Sequence, residues 1–347
     1  MRDLVVAGAG PVGMAVALHA HRAGLDVVVR EPRSGPIDKA CGEGLMPGAV
    51  AELAALGVDP RGHDVAGIHY LDGLGGGSGV SARFAAGPGR GVRRTVLHAA
   101  LAERLAEAGI PIEPQPVRSV RDAGDHVEVD GERARYLVAA DGLHSPTRRL
   151  VGLESGRPSG RRRFGLRCHV QQAPWSDFVE VHWSTRAEAY VTPVDDDLVG
   201  VAILTDSGEG FDEALADFPV LRERLVGERT RVRGAGPLHQ KVRARAAGRV
   251  LLVGDAAGYV DALTGEGIAL GLAQARAAVA CLAQDRPDRY ERQARRIGLR
   301  QELLTHALLL ATGSQVVRRR LVPAAERLPW VFSTAVNQLA RPIAVTS

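Results

Sequence analysis

Three cysteines in 347 residues are too few and too scattered for a disulfide framework or a zinc site: Cys41, Cys168 and Cys281 are odd in number, far apart and outside metal-ligand spacing. No metal is expected, and a reducing compartment fits. No apolar run approaches the roughly 20 residues of a membrane span. The chain opens MRDLVV, directly into a strand and without a signal-peptide pattern, so a cytoplasmic location is the expectation. Lysine is almost missing. Only Lys39 and Lys241 occur, and the formal net charge of +4 rests on arginine. Aromatic residues make up only 4% of the chain, and none interleaves the clusters Arg161-Arg162-Arg163 and Arg318-Arg319-Arg320. Those clusters read as solvated faces, so no nucleic-acid partner is expected.

What the chain does have is glycine in two ordered motifs. The first, Gly8-Ala9-Gly10-Pro11-Val12-Gly13, follows the apolar run Leu4-Val5-Val6-Ala7. A buried strand delivers the backbone to a tight turn at Gly8. Gly10 lets a pyrophosphate approach the main chain, and Gly13 lets the next helix pack close, with its first amides aimed at the phosphates. A helix is expected over 12–23, then a strand at Val27-Val28-Val29. Glu31 follows about 20 residues beyond the glycines, where an acid accepts a ribose hydroxyl. The second motif runs Val250-Leu251-Leu252-Val253-Gly254-Asp255-Ala256-Ala257-Gly258 and continues to Thr264-Gly265-Glu266-Gly267-Ile268. Two such motifs in this order point to FAD, held at both ends by a chain that returns to its N-terminal sheet.

Between them the periodicity changes. The segment 36–48 is too rich in Gly and Pro for a regular element, and 73–79 and 87–89 read as flexible connections. Helices are expected over 49–56 and 96–108, and a hairpin with strands near 117–120 and 126–129. From about residue 163 to 205 the pattern alternates as in antiparallel sheet. The fold class is therefore α/β: a Rossmann-type FAD-binding domain with an inserted antiparallel β-sheet substrate domain and C-terminal helices. The expected boundaries are 1–63, 93–155 and 240–285 for the FAD-binding domain, 64–92 and 156–239 for the substrate domain, and 286–347 for the helical segment. Leu299, Leu303, Leu304, Leu308 and Ala311 recur at helix spacing, as in a packing helix.

The N-terminal glycine motif, the run Ala139-Ala140-Asp141-Gly142-Leu143-His144-Ser145-Pro146-Thr147-Arg148 and Gly254-Asp255-Ala256-Ala257-Gly258 resemble the three fingerprints of single-component FAD-dependent monooxygenases of the para-hydroxybenzoate hydroxylase type. Lys39-Ala40-Cys41-Gly42-Glu43-Gly44 and Thr264-Gly265-Glu266-Gly267-Ile268 resemble most the geranylgeranyl-reductase-related branch of that superfamily. The resemblance implies that Gly8, Gly10 and Gly13 hold the pyrophosphate and Glu31 the ribose. Arg94 would reach the phosphates or ribityl chain, and Asp141 and Gly142 would lie on a loop serving FAD and nicotinamide. Asp255 would bind a ribityl hydroxyl, and the backbone of Gly265, Glu266, Gly267 and Ile268 would face the flavin. That last role has its own physical basis, because the apolar face of Ile268, Leu272, Ala275, Val279 and Leu282 starts a helix at this turn, and a helix N-terminus favours negative charge.

NADH or NADPH would then visit as a transient reductant, since no second dinucleotide unit occurs. The reading favoured at this level is hydroxylation, with molecular oxygen and a flavin C4a-hydroperoxide, of an apolar, aromatic or polyketide-like small molecule of secondary metabolism. The alternative is reduction of isoprenoid double bonds, and a non-catalytic nucleotide-binding protein is a third. Glu188-Ala189-Tyr190-Val191-Thr192-Pro193 keeps the Tyr and Pro of the prenyl reductases' substrate motif and lacks its tryptophan. Halogenation is disfavoured, because neither lysine lies on a suitable strand. Cys41 is the candidate beside the flavin, as proton donor, oxygen gate or filler. His169, His182 and Tyr190 are the acid/base candidates in the inserted sheet, His182 and Tyr190 foremost and expected on one sheet face, with His69 and Tyr70 on its expected edge. The sequence assigns no oligomeric state and leaves open peripheral membrane contact by the arginine-rich C-terminal helices.

Overall fold

Near-continuous apolar strands belong at the centre of a parallel sheet covered on both faces. In a computed structural model, which describes residues 1–75, 79–156, 162–206 and 208–343, the strands Arg2–Ala7, Val27–Arg30, Glu132–Ala139 and Val250–Leu252 are parallel. Their order in space is Ala246–Ala247, Val250–Leu252, Glu132–Ala139, Arg2–Ala7, Val27–Arg30, Ile112–Glu113. The second glycine motif thus returns to the sheet of the first. The expected hairpin pairs Val120–Asp122 with Val127–Val129 and continues the sheet from Glu132–Ala139. The helix Pro11–Arg22 begins with proline, whose missing N–H costs nothing in a first turn. It shares one core with Gly267–Ala283 through Met14, Val16, Leu272 and Leu282.

The alternating segment forms a seven-stranded sheet in the order Arg233–Ala235, Phe164–Gln171, Leu198–Thr205, Glu188–Asp195, Phe178–Trp183, Gly67–Asp72, Gly79–Arg83. It is not purely antiparallel, because Phe178–Trp183 runs parallel to Gly67–Asp72. His69 and Tyr70 therefore sit one strand in from the edge, which is Gly79–Arg83. The glycine-rich segments near 44 and 89 are partly ordered as a small sheet of Gly44–Leu45, Gly89–Gly91 and His63–Val65. Part of the connection expected at 73–79, residues 76–78, lies outside the described residues, as does Arg161.

Three helices, Tyr290–Thr312, Gln315–Arg327 and Pro329–Ala340, follow. They pack on the seven-stranded sheet through Leu308, Val322, Phe332 and Val336. The expected packing stripe is only partly realised, since Leu299, Leu303, Leu304 and Ala311 are exposed. The arginine clusters also differ from expectation. Arg163 and Arg318 are buried, and both serve the fully buried Glu188: Arg163 Nη2 lies 2.7 Å and Arg318 Nη2 2.6 Å from its carboxylate oxygens. Arg163 Nε continues the chain to Asp261 at 2.9 Å. A buried carboxylate needs cationic partners, and that need outweighs solvation of the arginines.

Candidate active site

The strand end at Ala7 and the helix start at Pro11 build a cradle whose glycines are required by contact. Gly8 has φ +100°, and a Cβ at Gly13 would lie 1.9 Å from the carbonyl oxygen of Gly8. Gly10 differs. Its nearest neighbour would be Arg94 Nη2 at 3.8 Å, so a Cβ there would fill open space in the cavity itself. Glu31, just past Val27–Arg30, is buried and accepts from Ala9 N at 3.1 Å. Arg33 adds three bonds, from its backbone N and from Nε and Nη2. Burial pushes the Glu31 carboxyl up, but these hydrogen bonds win and hold it below its ordinary value.

The segment 38–44 is clamped to three elements. Lys39 Nζ lies 2.8 Å from Asp255 Oδ2 in the second glycine motif. Arg167 and Arg233 both bind Asp38. Glu43, buried with φ +59°, accepts from Arg94 N at 2.7 Å and lies 2.7 Å from His169 Nε2. Arg167 Nη1 stands 3.3 Å from His169 Nδ1, and a guanidinium can only donate, so Nε2 is the nitrogen that donates to Glu43. Thr192 donates to the carbonyl of Gly42 at 2.8 Å. His169, one of the acid/base candidates, is thus consumed in holding the loop. Cys41, half-buried between these anchors, lines the cavity. Burial pushes its thiol up against the pull of Arg94, so the thiol stays protonated at neutral pH.

Two buried polar atoms at this cradle, Asp141 Oδ1 and Arg94 Nε, have no protein partner among the described residues. Buried polar atoms are normally satisfied. These two, the open space beside Gly10 and the Glu31 carboxylate fit a polar dinucleotide. Asp141 Oδ2 caps the next helix at Thr147 N, 2.9 Å away, and Gly142 has φ +86°. Gly265, Gly267 and Ile268 line the same cavity at the start of Gly267–Ala283, where the first amides lack intrahelical acceptors. Glu266 is turned away from the cavity into the protein. Its Oε2 has no hydrogen-bond partner, and burial pushes its carboxyl up to about 8 against the pull of Arg300.

One cavity of about 610 Å³ runs from Gly10 and Arg94 past Asp255 and Gly265 to Leu308, Val336 and Leu339 of the C-terminal helices. Its far half is apolar, walled by Ile68, Phe84, Val179 and Val181. Tyr70, Tyr190 and Tyr259 add phenols, and burial pushes all three above the ordinary tyrosine value. Tyr190 donates to the carbonyl of Leu263 at 3.0 Å. His182 does not join it. Tyr190 pairs across the strands with Val181, so the period of two turns His182 to the opposite face. There His182 stands 3.1 Å from Glu180, which Trp175 also binds. Glu43, Arg33 and Tyr259 escaped the sequence reading. Two of them carried a signal, Glu43 by its place in the motif Lys39–Gly44 and Tyr259 by its place immediately after Gly258 of the second motif.

The chain belongs to the FAD-binding domain family, whose model spans residues 1–197. It is a FAD-binding oxidoreductase. The menaquinone reductase of Mycolicibacterium smegmatis is 32% identical over 308 residues, covering 80% of this chain and 75% of that one. Digeranylgeranylglycerophospholipid reductase 1 of Methanothermobacter thermautotrophicus is 28% identical over 298 residues, covering 78% and 74%. Among solved structures, p-nitrophenol 4-monooxygenase PnpA from Pseudomonas putida superposes with a TM-score of 0.72 at 20% identity, covering 94% of this chain and 98% of that one, a likeness of fold. No helix among the described residues is long and apolar enough to cross a membrane.

Proposed function

We propose that the protein reduces carbon–carbon double bonds in the isoprenoid chain of a lipid, with FAD as hydride carrier and NADH or NADPH as the source of electrons. The observation that carries this reading is the cavity: it joins the cofactor cradle to a long apolar chamber whose far wall is the C-terminal helices. Such a chamber fits a flexible hydrocarbon chain, and the chain relatives named above include reductases of prenylated lipids.

Bound FAD would supply hydride transfer at the alkene. The protein's own residues do the rest. Gly8, Gly10 and Gly13 would seat the pyrophosphate, with Arg94 beside it and Glu31 at the ribose. Asp255, oriented by Lys39, would hold the ribityl chain, and Asp141 and Gly142 would border it. The helix start at Gly265, Glu266, Gly267 and Ile268 would set backbone amides against the ring system, where a helix N-terminus favours negative charge. Apolar walls exclude water. Cys41, protonated and lining the cavity, can donate the proton that completes addition of two hydrogens.

Hydroxylation is the second reading, and the fold likeness to a monooxygenase favours it. It needs a base to deprotonate a phenol. His182 and His169 do not line the cavity, the tyrosines that do are held neutral, and His144, the histidine that does, is engaged through Nε2 with the Gly236 carbonyl at 3.1 Å. The two readings separate in anaerobic single turnover. The pre-reduced, FAD-loaded protein is mixed with a geranylgeranyl lipid that carries no quinone ring. Reoxidation of the flavin by this lipid, and not by its saturated counterpart, is expected; equal inertness towards both would refute the proposal.

A further inference from the structure

The C-terminal helices carry apolar side chains on two faces. The inner face, with Leu308, Val322, Phe332 and Val336, is buried against the seven-stranded sheet. On the outer face Leu299, Leu303, Leu310, Val316, Trp330 and Val331 are exposed, Leu310 by 81% and Trp330 by 69%. Leu299, Leu303 and Leu310 are four and seven residues apart and so share one side of their helix. Among the described residues, most of the large exposed apolar side chains of the chain fall in this segment. A helix that is apolar on both sides needs a second place to bury, and a clustered exposed patch marks an interaction surface.

The charges say what covers it. The acids of the segment are engaged inward or along the helix. Glu291 binds Arg245 and Arg295, Glu302 binds Arg245, and Glu326 accepts from Gly79 N. The exposed Arg296, Arg319, Arg320 and Arg327 pair with no carboxylate among the described residues. The outer face is therefore apolar, basic and carries an exposed tryptophan. In a two-fold contact between copies this basic face would meet an equally basic face whose acids are already engaged. On an anionic lipid surface the aliphatic stems of the arginines can lie along the acyl boundary while the guanidinium groups meet headgroups.

We propose that the outer face of residues 290–340 docks on the surface of an anionic bilayer, lying in it without crossing. Leu308, Val336 and Leu339 of these helices line the cavity. Docking therefore brings the chamber's outer wall to the phase in which an isoprenoid lipid resides. The exposure and charge of this face do not depend on which reaction the cavity performs.

The test is flotation of the full-length, FAD-loaded protein with phosphatidylglycerol–phosphatidylcholine vesicles or with phosphatidylcholine alone. Wild-type protein is expected to float with the anionic vesicles and to be released by salt. The Leu310→Ser/Trp330→Ser and Arg319→Glu/Arg320→Glu variants should keep their FAD content and melting temperature and lose partitioning by at least about tenfold. Failure of the wild type to bind anionic vesicles, or unaltered binding by folded variants, would overturn the proposal. So would a solution dimer that Leu310→Ser/Trp330→Ser dissociates, which would assign the face to a second copy.

Discussion

Lys39 Nζ and Asp255 Oδ2 meet at 2.8 Å across 216 residues of sequence. The pair ties the segment that carries Cys41 to the second glycine motif, so one ion pair joins two walls of the cavity. Burial pushes the Asp255 carboxyl up, but the charge and hydrogen bond of Lys39 outweigh it, and its proton affinity is lowered. By linkage the tie is intact above the ordinary aspartate range and is lost as pH falls through the lowered value. Lys39→Met should weaken FAD binding about tenfold, near 1.4 kcal/mol, in fluorescence titration of the apoprotein. An unchanged affinity would mean the pair does not organise the site.

The glycines of the first motif should fail differently. Gly13→Ala places a Cβ 1.9 Å from a backbone oxygen, so the helix must leave the sheet. Soluble expression and melting temperature should both collapse. Gly10→Ala meets nothing within 3.8 Å, so the protein should fold normally and come out colourless, its methyl standing in the path of the pyrophosphate. A yellow Gly10→Ala protein of normal affinity would place the phosphates elsewhere.

Glu266 gives a pH signature. Its folded-state value of about 8 lies above the ordinary glutamate value of 4.5. Its contribution to stability is therefore fully present below the unfolded value and is lost as pH rises through the folded one. Apoprotein stability should fall by up to about 1.4 kcal/mol per pH unit across this window. Glu266→Gln should flatten the curve and melt higher at pH 8 than the wild type. Parallel wild-type and variant curves would contradict the burial argument.

Arg318 and Glu188 join the helical segment to the sheet. Arg318→Ala leaves a fully buried carboxylate with Arg163 as its remaining cation, and should cost about 3 kcal/mol in urea titration. Its exposed neighbour is the control: Arg319→Ala should change stability by less than about 0.5 kcal/mol. Equal effects would mean that the buried network does not hold the helices.

The cofactor half of the molecule was readable because its signals are local. A buried strand, a glycine turn and a helix are contiguous in sequence, and the physics of each is complete within about 30 residues. The other half depends on register. The alternation around Phe178–Trp183 is plain in the sequence, yet only pairing with Glu188–Asp195 reveals that Tyr190 faces the cavity beside Val181 and that His182 faces away. Arg163 and Arg318 looked like solvated runs because Glu188, which buries both, is distant from them in sequence. The Glu43–His169 contact was hidden for the same reason, spanning 126 residues.

The most direct test of the central claim is the mass of the product. FAD-loaded protein, reduced nicotinamide and a geranylgeranyl lipid are incubated under nitrogen and, separately, under isotopically labelled dioxygen. The account predicts products heavier by two hydrogens per reduced double bond in both atmospheres, with no label incorporated. A product that forms only with oxygen and carries the labelled atom would contradict it and establish hydroxylation.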